Sequence, residues 1–416
     1  MSAGARRYVV PGRVELVGKH VDYAGGRSLT CAVDRAITAR AHPIDLPLIR
    51  VTDRTRRTPS SVEVRLVAEG TKAKGPRWST YVVAVARRFA RDFPHARRGV
   101  ELELVSTLPA SAGLSSSSAF VVAMASALFD ANAMEDDRAW CAIVGDPLAR
   151  AEYMGAMETG APYGPFPGDA GVGARGGAQD HVAILCAQEG SVGQFSYLPA
   201  RLERYVSWPV EYAIAVAVSG VTATKTGNAR ARYNRVSDST RALLRAWNAA
   251  TGREDHTLAA ALASATDAAE RLSRLAEQGV AEFDGSYLGP RFAQFREEVE
   301  VIVPGVGDAL RDRDFSLLGA LVDRSMAMAE YALRNQVPET SFLARAARER
   351  GAVAASAFGA GFGGAVWAMV GADEADAFVE VWRAAYLEAF PSRGEKAQWL
   401  ATRPGAPSRV DSVTRD

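Results

Sequence analysis

The chain has 416 residues, more than one small core can use and enough for two domains. Its 48% hydrophobic and 23% charged residues are those of a water-soluble globular protein, and a net charge of +1 argues against nucleic acid or an anionic membrane as a partner. The three cysteines, Cys31, Cys141 and Cys186, are odd in number and lack metal-ligand spacing. With no apolar stretch in Met1–Val10 and no run long enough to span a bilayer, the expected location is cytoplasmic. Basic residues are nearly all Arg; Lys occurs only at 19, 72, 74, 225 and 396.

In chain order, Tyr8–Val10 and Val14–Val17 read as short strands around Pro11-Gly12. Val62–Val67 alternates as a strand does, Trp78–Phe93 has helical spacing, and Val100–Val105 alternates again. Pro109 to Ala119 is a run of small and hydroxylated residues, followed by the apolar stretch Phe120–Ala125 and a helix to about Ala131. Arg138–Ala156 reads as helical, and Thr159–Gly177 as a long loop rich in Gly and Pro. Val182–Leu185 resumes order, Phe195–Pro209 is strand and turn, and Tyr212–Ser219 is a buried strand. Asn228–Arg274 is largely helical with a break near Gly252. Further helices are expected at 290–300, 317–335 and 342–350. Two short strands flank Gly359–Gly364, a last helix covers Glu374–Ala389, and a polar tail from Arg403 is expected to fray. The mixture lacks strict βαβ alternation and is α+β, divided at about 1–205 and 206–416.

Three Gly/Ser-rich segments carry the chemistry. The second of them, Ser111–Ser118, opens a buried helix, where unpaired N–H groups and the helix dipole favour an anion. The same pattern also suits a plain serine cap. No G-x-x-x-x-G-K-[ST] is present, and neither is an H-R-D/D-F-G pair, so P-loop proteins and protein kinases are excluded.

The first segment, Pro11-Gly12-Arg13-Val14 through Gly18-Lys19-His20-Val21-Asp22-Tyr23-Ala24-Gly25-Gly26, resembles the galactokinase signature. In order with Ser111–Ser118 and Gly359–Gly364, it resembles the GHMP sugar and isoprenoid kinases over about residues 8 to 371. The resemblance implies a two-domain fold, with an N-terminal ribosomal-protein-like domain, a C-terminal ferredoxin-like domain and the site between them. It implies a kinase using ATP and Mg²⁺ to phosphorylate the anomeric hydroxyl of galactose or a related hexose. Other sugars, or a sugar- and ATP-binding regulator without turnover, are the alternatives. Gly176-Gly177-Ala178-Gln179-Asp180-His181 resembles the stretch holding the catalytic base, which carries over to Asp180, with Arg13 beside it. For the sugar the resemblance implies Lys19, His20, Asp22, Gly177 and Tyr233. For the ATP phosphates it implies Ser111, Gly113, Leu114, Ser115, Ser116, Ser117 and Ser118. For Mg²⁺ it implies Ser117 and Glu152, with Glu158 as the fallback. Small-molecule partners and a monomer or weak homo-oligomer are expected.

Three positions depart from the pattern. Lys19 stands where galactokinases carry a Glu that reaches the sugar's C6 hydroxyl, Glu15 where they usually have Asn, and Ser111 where they usually have Gly. An ammonium at position 19 suits a uronic acid; alternatively it turns outward or pairs with Glu15 or Asp180.

Overall fold

The computed structural model describes residues 5–70, 72, 74–109, 113–222 and 228–412. Twelve strands and thirteen α-helices occur among the described residues. The first half runs β1 (Arg6–Val17), β2 (Arg27–Ile44), β3 (Leu48–Asp53), β4 (Ser60–Arg65), α1 (Ser79–Asp92), β5 (Gly99–Ser106) and α2 (Ser116–Ala131). It continues through α3 (Arg138–Val144), α4 (Pro147–Thr159), α5 (Gln179–Leu185), β6 (Ser191–Ser196) and β7 (Arg201–Ser207). Next come β8 (Tyr212–Val218), α6 (Asn228–Thr251), α7 (Leu258–Leu262), α8 (Ala268–Gln278), α9 (Gly285–Glu297), α10 (Val303–Asp312) and α11 (Phe315–Met328). The chain ends with α12 (Pro338–Glu349), β9 (Ala354–Phe358), β10 (Ala365–Gly371), α13 (Ala375–Ala389), β11 (Gln398–Thr402) and β12 (Arg409–Ser412).

The first sheet has the order β12-β1-β2-β5-β3-β4, with β6 joining β2 and β7 joining β6; among the described residues only β3 and β5 pair in parallel. The second is antiparallel, in the order β11-β8-β10-β9. Position 205 lies inside β7, so the change of sheet falls between Ser207 and Tyr212.

The two strands expected around Pro11-Gly12 are one. β1 runs through both residues, with register shifts at Pro11/Arg13 and Glu15/Val17. Proline has no N–H to give a ladder, and an irregularity absorbs it. At Gly12 a Cβ would strike the Leu114 carbonyl and the Leu108 side chain, so β1 touches the Ser-rich turn directly. The Arg13 N–H donates to the Leu114 carbonyl at 3.2 Å, fixing that contact.

Other expectations needed correction. The helix expected over 138–156 is two helices, because Asp146 accepts from the N–H groups of Leu148 and Ala149 and starts α4 afresh at Pro147. Val182–Leu185, where order was expected to resume, is the end of α5. The tail does not fray throughout: Arg409–Ser412 pairs with Arg6–Val9 at the edge of the first sheet. The long β2, whose residues alternate less regularly, had no counterpart in the sequence reading.

Packing sets the site. The buried helix α2 and helices α1 and α4 cover the first sheet. In the second sheet, alanines of β8, β9 and β10 let α12 and α13 approach closely around Trp382 and Tyr386. A third core of α6 to α9 packs beneath Val21, Tyr23 and Ala24, so the C-terminal helices support the turn after β1.

Candidate active site

Arg13 leaves β1 fully buried and meets Asp180 in the first turn of α5. Its Nε lies 2.8 Å and its Nη2 2.6 Å from Oδ1 of Asp180. Its Nη1 donates to the Gly113 carbonyl at 2.5 Å, so one guanidinium ties the carboxylate to the Ser-rich turn. Such charge-assisted bonds are short and fix position. The other Asp180 oxygen lies 3.3 Å from Ser118 Oγ, whose hydroxyl is also 2.8 Å from Oε2 of Glu158.

Around this pair is a small polar cavity of ≈ 40 Å³, walled by His20, Asp22, Gly177 and Tyr233 together with Glu15 and Glu158. His20 has left-handed backbone (φ 57°), unusual outside glycine. Its carbonyl accepts from the buried guanidinium of Arg291 at 2.6 Å. Its ring lies between the Tyr23 hydroxyl (Nδ1, 3.0 Å) and the Ala360 carbonyl (Nε2, 3.1 Å), and 5.3 Å from the ring of Tyr233. Oδ2 of Asp22 accepts from the Gln179 N–H at 3.3 Å. A Cβ at Gly177 would collide with that carboxylate and with the Tyr23 N–H, so only glycine lets the two segments meet.

Two sequence assignments sit elsewhere. Glu152 turns away from the cavity, and its Oε1 accepts from the Ala200 N–H at 2.7 Å. Burial pushes its carboxyl up, against the N–H groups of Ala200 and Leu198. The fallback Glu158, about one and two-thirds turns further along α4, is the carboxylate that faces Ser118. Lys19 is buried, but its ammonium points behind the cavity, donating to Ser325 Oγ at 2.8 Å. Ser325 in turn donates to Glu298 at 2.5 Å, and Glu298 also accepts from the Gly18 N–H at 2.9 Å. The ammonium therefore neither turns outward nor bonds directly to Glu15 or Asp180.

A larger cavity of ≈ 600 Å³ adjoins the first and shares Arg13, Asp180 and Ala360 with it. One end is the start of α2, with Gly113, Ser115, Ser116 and Ser117; Ser111 lies outside the described residues. Ser115 has φ 57° and a buried Oγ with no partner, an orphan hydroxyl beside unpaired helical N–H groups. An anion with several oxygens fits there. The Leu114 side chain is buried, and its carbonyl serves β1. The cavity lining also includes the apolar and aromatic side chains of Trp78, Tyr81, Phe120, Leu104 and Leu108. The sequence reading left this wall unassigned, although Trp78 and Tyr81 stand at the start of a correctly placed helix.

Residues 80–156 match the GHMP kinases N terminal domain, 308–388 the GHMP kinases C terminal domain, and 3–43 the galactokinase galactose-binding signature. A galactokinase of Chloroflexus aurantiacus is 28% identical over 404 residues, spanning 95% of this chain and 91% of that protein. One of Thermococcus kodakarensis is 26% identical over 386 residues, with 92% and 95% covered. Among solved structures, Lactococcus lactis galactokinase complexed with galactose superposes with a TM-score of 0.75 at 20% identity, covering 98% of this chain and 95% of that one. The mevalonate kinase of L. major, in complex with R-mevalonate, gives 0.58 at 14% identity, covering 98% and 99%.

Fold and matched domains define the class: the chain is a GHMP kinase, an enzyme that takes its phosphoryl group from ATP. Within that class it belongs to the galactokinase family, as a divergent member, and it is a sugar kinase. Among the described residues, no helix is long and apolar enough to cross a membrane.

Proposed function

We propose that this enzyme transfers the γ-phosphoryl group of ATP to the anomeric C1 hydroxyl of galactose or a close relative. The observation that carries the reading is the Arg13–Asp180 pair, which lines both cavities. The nucleotide lies in the larger cavity, its base on the apolar wall of Trp78, Tyr81 and Phe120 and its phosphates at Ser115–Ser117. The sugar takes the polar cavity, with Asp22, His20, the Gly177 backbone and Tyr233 as its partners.

In this reading Asp180 accepts the proton of the sugar hydroxyl, a contribution of about 10²–10⁴-fold. Arg13 holds the carboxylate ionised and aimed, and its fixed charge favours the negative charge developing on the transferred group. Phosphoryl transfer asks for positioning and charge stabilisation, which a buried guanidinium and a helix start supply.

Mg²⁺ fits the same place. Ser117 at the start of α2, and Glu158 of α4, which accepts from the neighbouring Ser118 hydroxyl, offer hard oxygen donors. Among the described residues, no group of three or more His, Cys, Asp or Glu forms a metal cage, so the remaining ligands are the nucleotide's own oxygens and water. When bound, the ion neutralises phosphate charge. Glu158 replaces Glu152 in this assignment.

A uronic acid substrate has no support. Lys19 is occupied by Ser325, and among the described residues the polar cavity is lined by four carboxyls (Glu15, Asp22, Glu158, Asp180) and the Arg13 guanidinium. The test is ADP release from ATP and Mg²⁺ over a panel of hexoses and hexuronic acids. The reading requires galactose or a neutral epimer to be turned over and galacturonate to lag well behind. Preference for galacturonate would overturn the substrate assignment.

A further inference from the structure

Glu15 has no part in the steps above, yet it lies inside the site. Arg13 and Glu15 are two residues apart on a regular stretch of β1, paired with Ala32 and Thr30 of β2, so their side chains share a face. Glu15 is 3% exposed and lines the polar cavity with Arg13 and Asp180. Its Oε2 accepts from the Gln179 side-chain amide at 2.5 Å, and Gln179 directly precedes Asp180. Its Oε1 is buried with no hydrogen-bond partner. Galactokinases usually carry a neutral Asn at this position, which makes the carboxyl a feature of this chain.

We propose that Glu15 is a positioning residue for the phosphoryl-transfer step: its ionised carboxylate, anchored on Gln179, strengthens Asp180 as a base, so that turnover follows the charge on Glu15. The inference rests on the sugar-kinase reading and deepens it. A negative charge beside Asp180 makes the proton leaving the sugar more stable on Asp180, and a neutral Glu15 withdraws that help.

The groups facing Glu15 fix the direction of the effect. Arg13 faces it from its own strand and Asp180 from α5; Lys19 faces it from the turn after β1. The Tyr197 phenol feels its charge together with those of Asp22 and Asp180. Behind Lys19 stands Glu298, reached through Ser325. Burial raises the Glu15 carboxyl to about 7, while Lys19, Arg13 and the Gln179 amide pull it down. Its charge therefore changes within the range in which such an enzyme works.

The experiment is kcat for galactose against pH, from about 5.5 to 9, with ATP and Mg²⁺ saturating throughout. The wild type, Glu15→Gln and Lys19→Met are compared. In the wild type kcat rises about 10-fold or more through neutral pH. In Glu15→Gln that rise is absent and kcat stays near its low-pH value, with the galactose KM changed much less. Lys19→Met removes a cation that favours the ionised form, so its rise moves to higher pH. This second variant keeps Glu15 in place and gives an independent reading if Glu15→Gln folds poorly. A wild-type pH profile in Glu15→Gln, or an unmoved midpoint in Lys19→Met, would overturn the inference while leaving the kinase reading intact. No turnover of any sugar by the wild type would overturn both.

Discussion

Arg13 bridges 167 positions of sequence to set Nε and Nη2 on a single oxygen of Asp180, at 2.8 and 2.6 Å. The same guanidinium holds the Gly113 carbonyl, so the carboxylate and the turn that opens α2 are positioned by one side chain. The centroid of the Phe358 ring lies 5.9 Å from its Cζ, and a Cβ at Gly359 would come within 3.5 Å of Nη2. The first sheet, the Ser-rich turn and the glycine loop of the second sheet thus converge on Arg13.

Glu158 and Glu152 should behave differently. Glu158→Gln removes the carboxylate beside Ser118, and kcat should fall by at least about 100-fold, with more Mg²⁺ needed for half-maximal rate. Glu152→Gln keeps an acceptor for the Ala200 N–H and should stay within about threefold of wild type. Magnesium titrations of both variants decide; equal losses would return the metal assignment to Glu152.

Trp78→Ala tests the apolar wall. Stacking of a base on an aromatic ring is worth about 1–3 kcal/mol, so KM for ATP should rise about 5- to 100-fold while KM for the sugar barely changes. Steady-state kinetics with each substrate varied in turn measure both.

Gly177→Ala should act on the sugar alone. The added methyl meets the Asp22 carboxylate and the Tyr23 N–H, so Asp22 must move. The galactose KM should rise by about tenfold or more, with KM for ATP unchanged.

Glu15 also makes a stability prediction. Its folded-state carboxyl titrates near 7 against an ordinary value of 4.5. The folded protein then binds more protons than the unfolded chain between these values, so stability falls as pH rises from about 4.5 to 7. The loss from this group is of order 3 kcal/mol. Urea unfolding of the wild type and Glu15→Gln at both ends of that range should show the wild type losing more stability.

Much of the fold was legible because local patterns were strong. Trp78–Phe93 and Val100–Val105 each carry one clear period, Tyr212–Ser219 and the strands flanking Gly359–Gly364 are short unbroken apolar runs, and each lies within a residue or two of its observed element. β2 was missed because it is buried on both faces in part and exposed in part, which blurs a period of two. The return of Arg409–Ser412 to β1 was missed because a polar edge strand looks like a loop until its partner is known.

The site divided along similar lines. Asp180, Arg13, His20 and Asp22 sit in short dense motifs, and all four line the polar cavity. Glu152 and Glu158 are both on α4 with 160–177 beyond them, and spacing along the chain could not say which face of the helix meets Ser118. Lys19 looked like a substrate contact because its partners, Ser325 and Glu298, lie some 300 residues away. A single sequence gives no sign of a pairing at that separation.

The most direct test of the account is Asp180→Asn, followed by two readouts on the same preparation: galactose binding by calorimetry and ATP-dependent formation of galactose 1-phosphate by phosphorus NMR. Binding should survive while product formation drops by about 10²–10⁴-fold. A variant that still makes sugar phosphate at near wild-type rate would show that the carboxylate held by Arg13 is not the base.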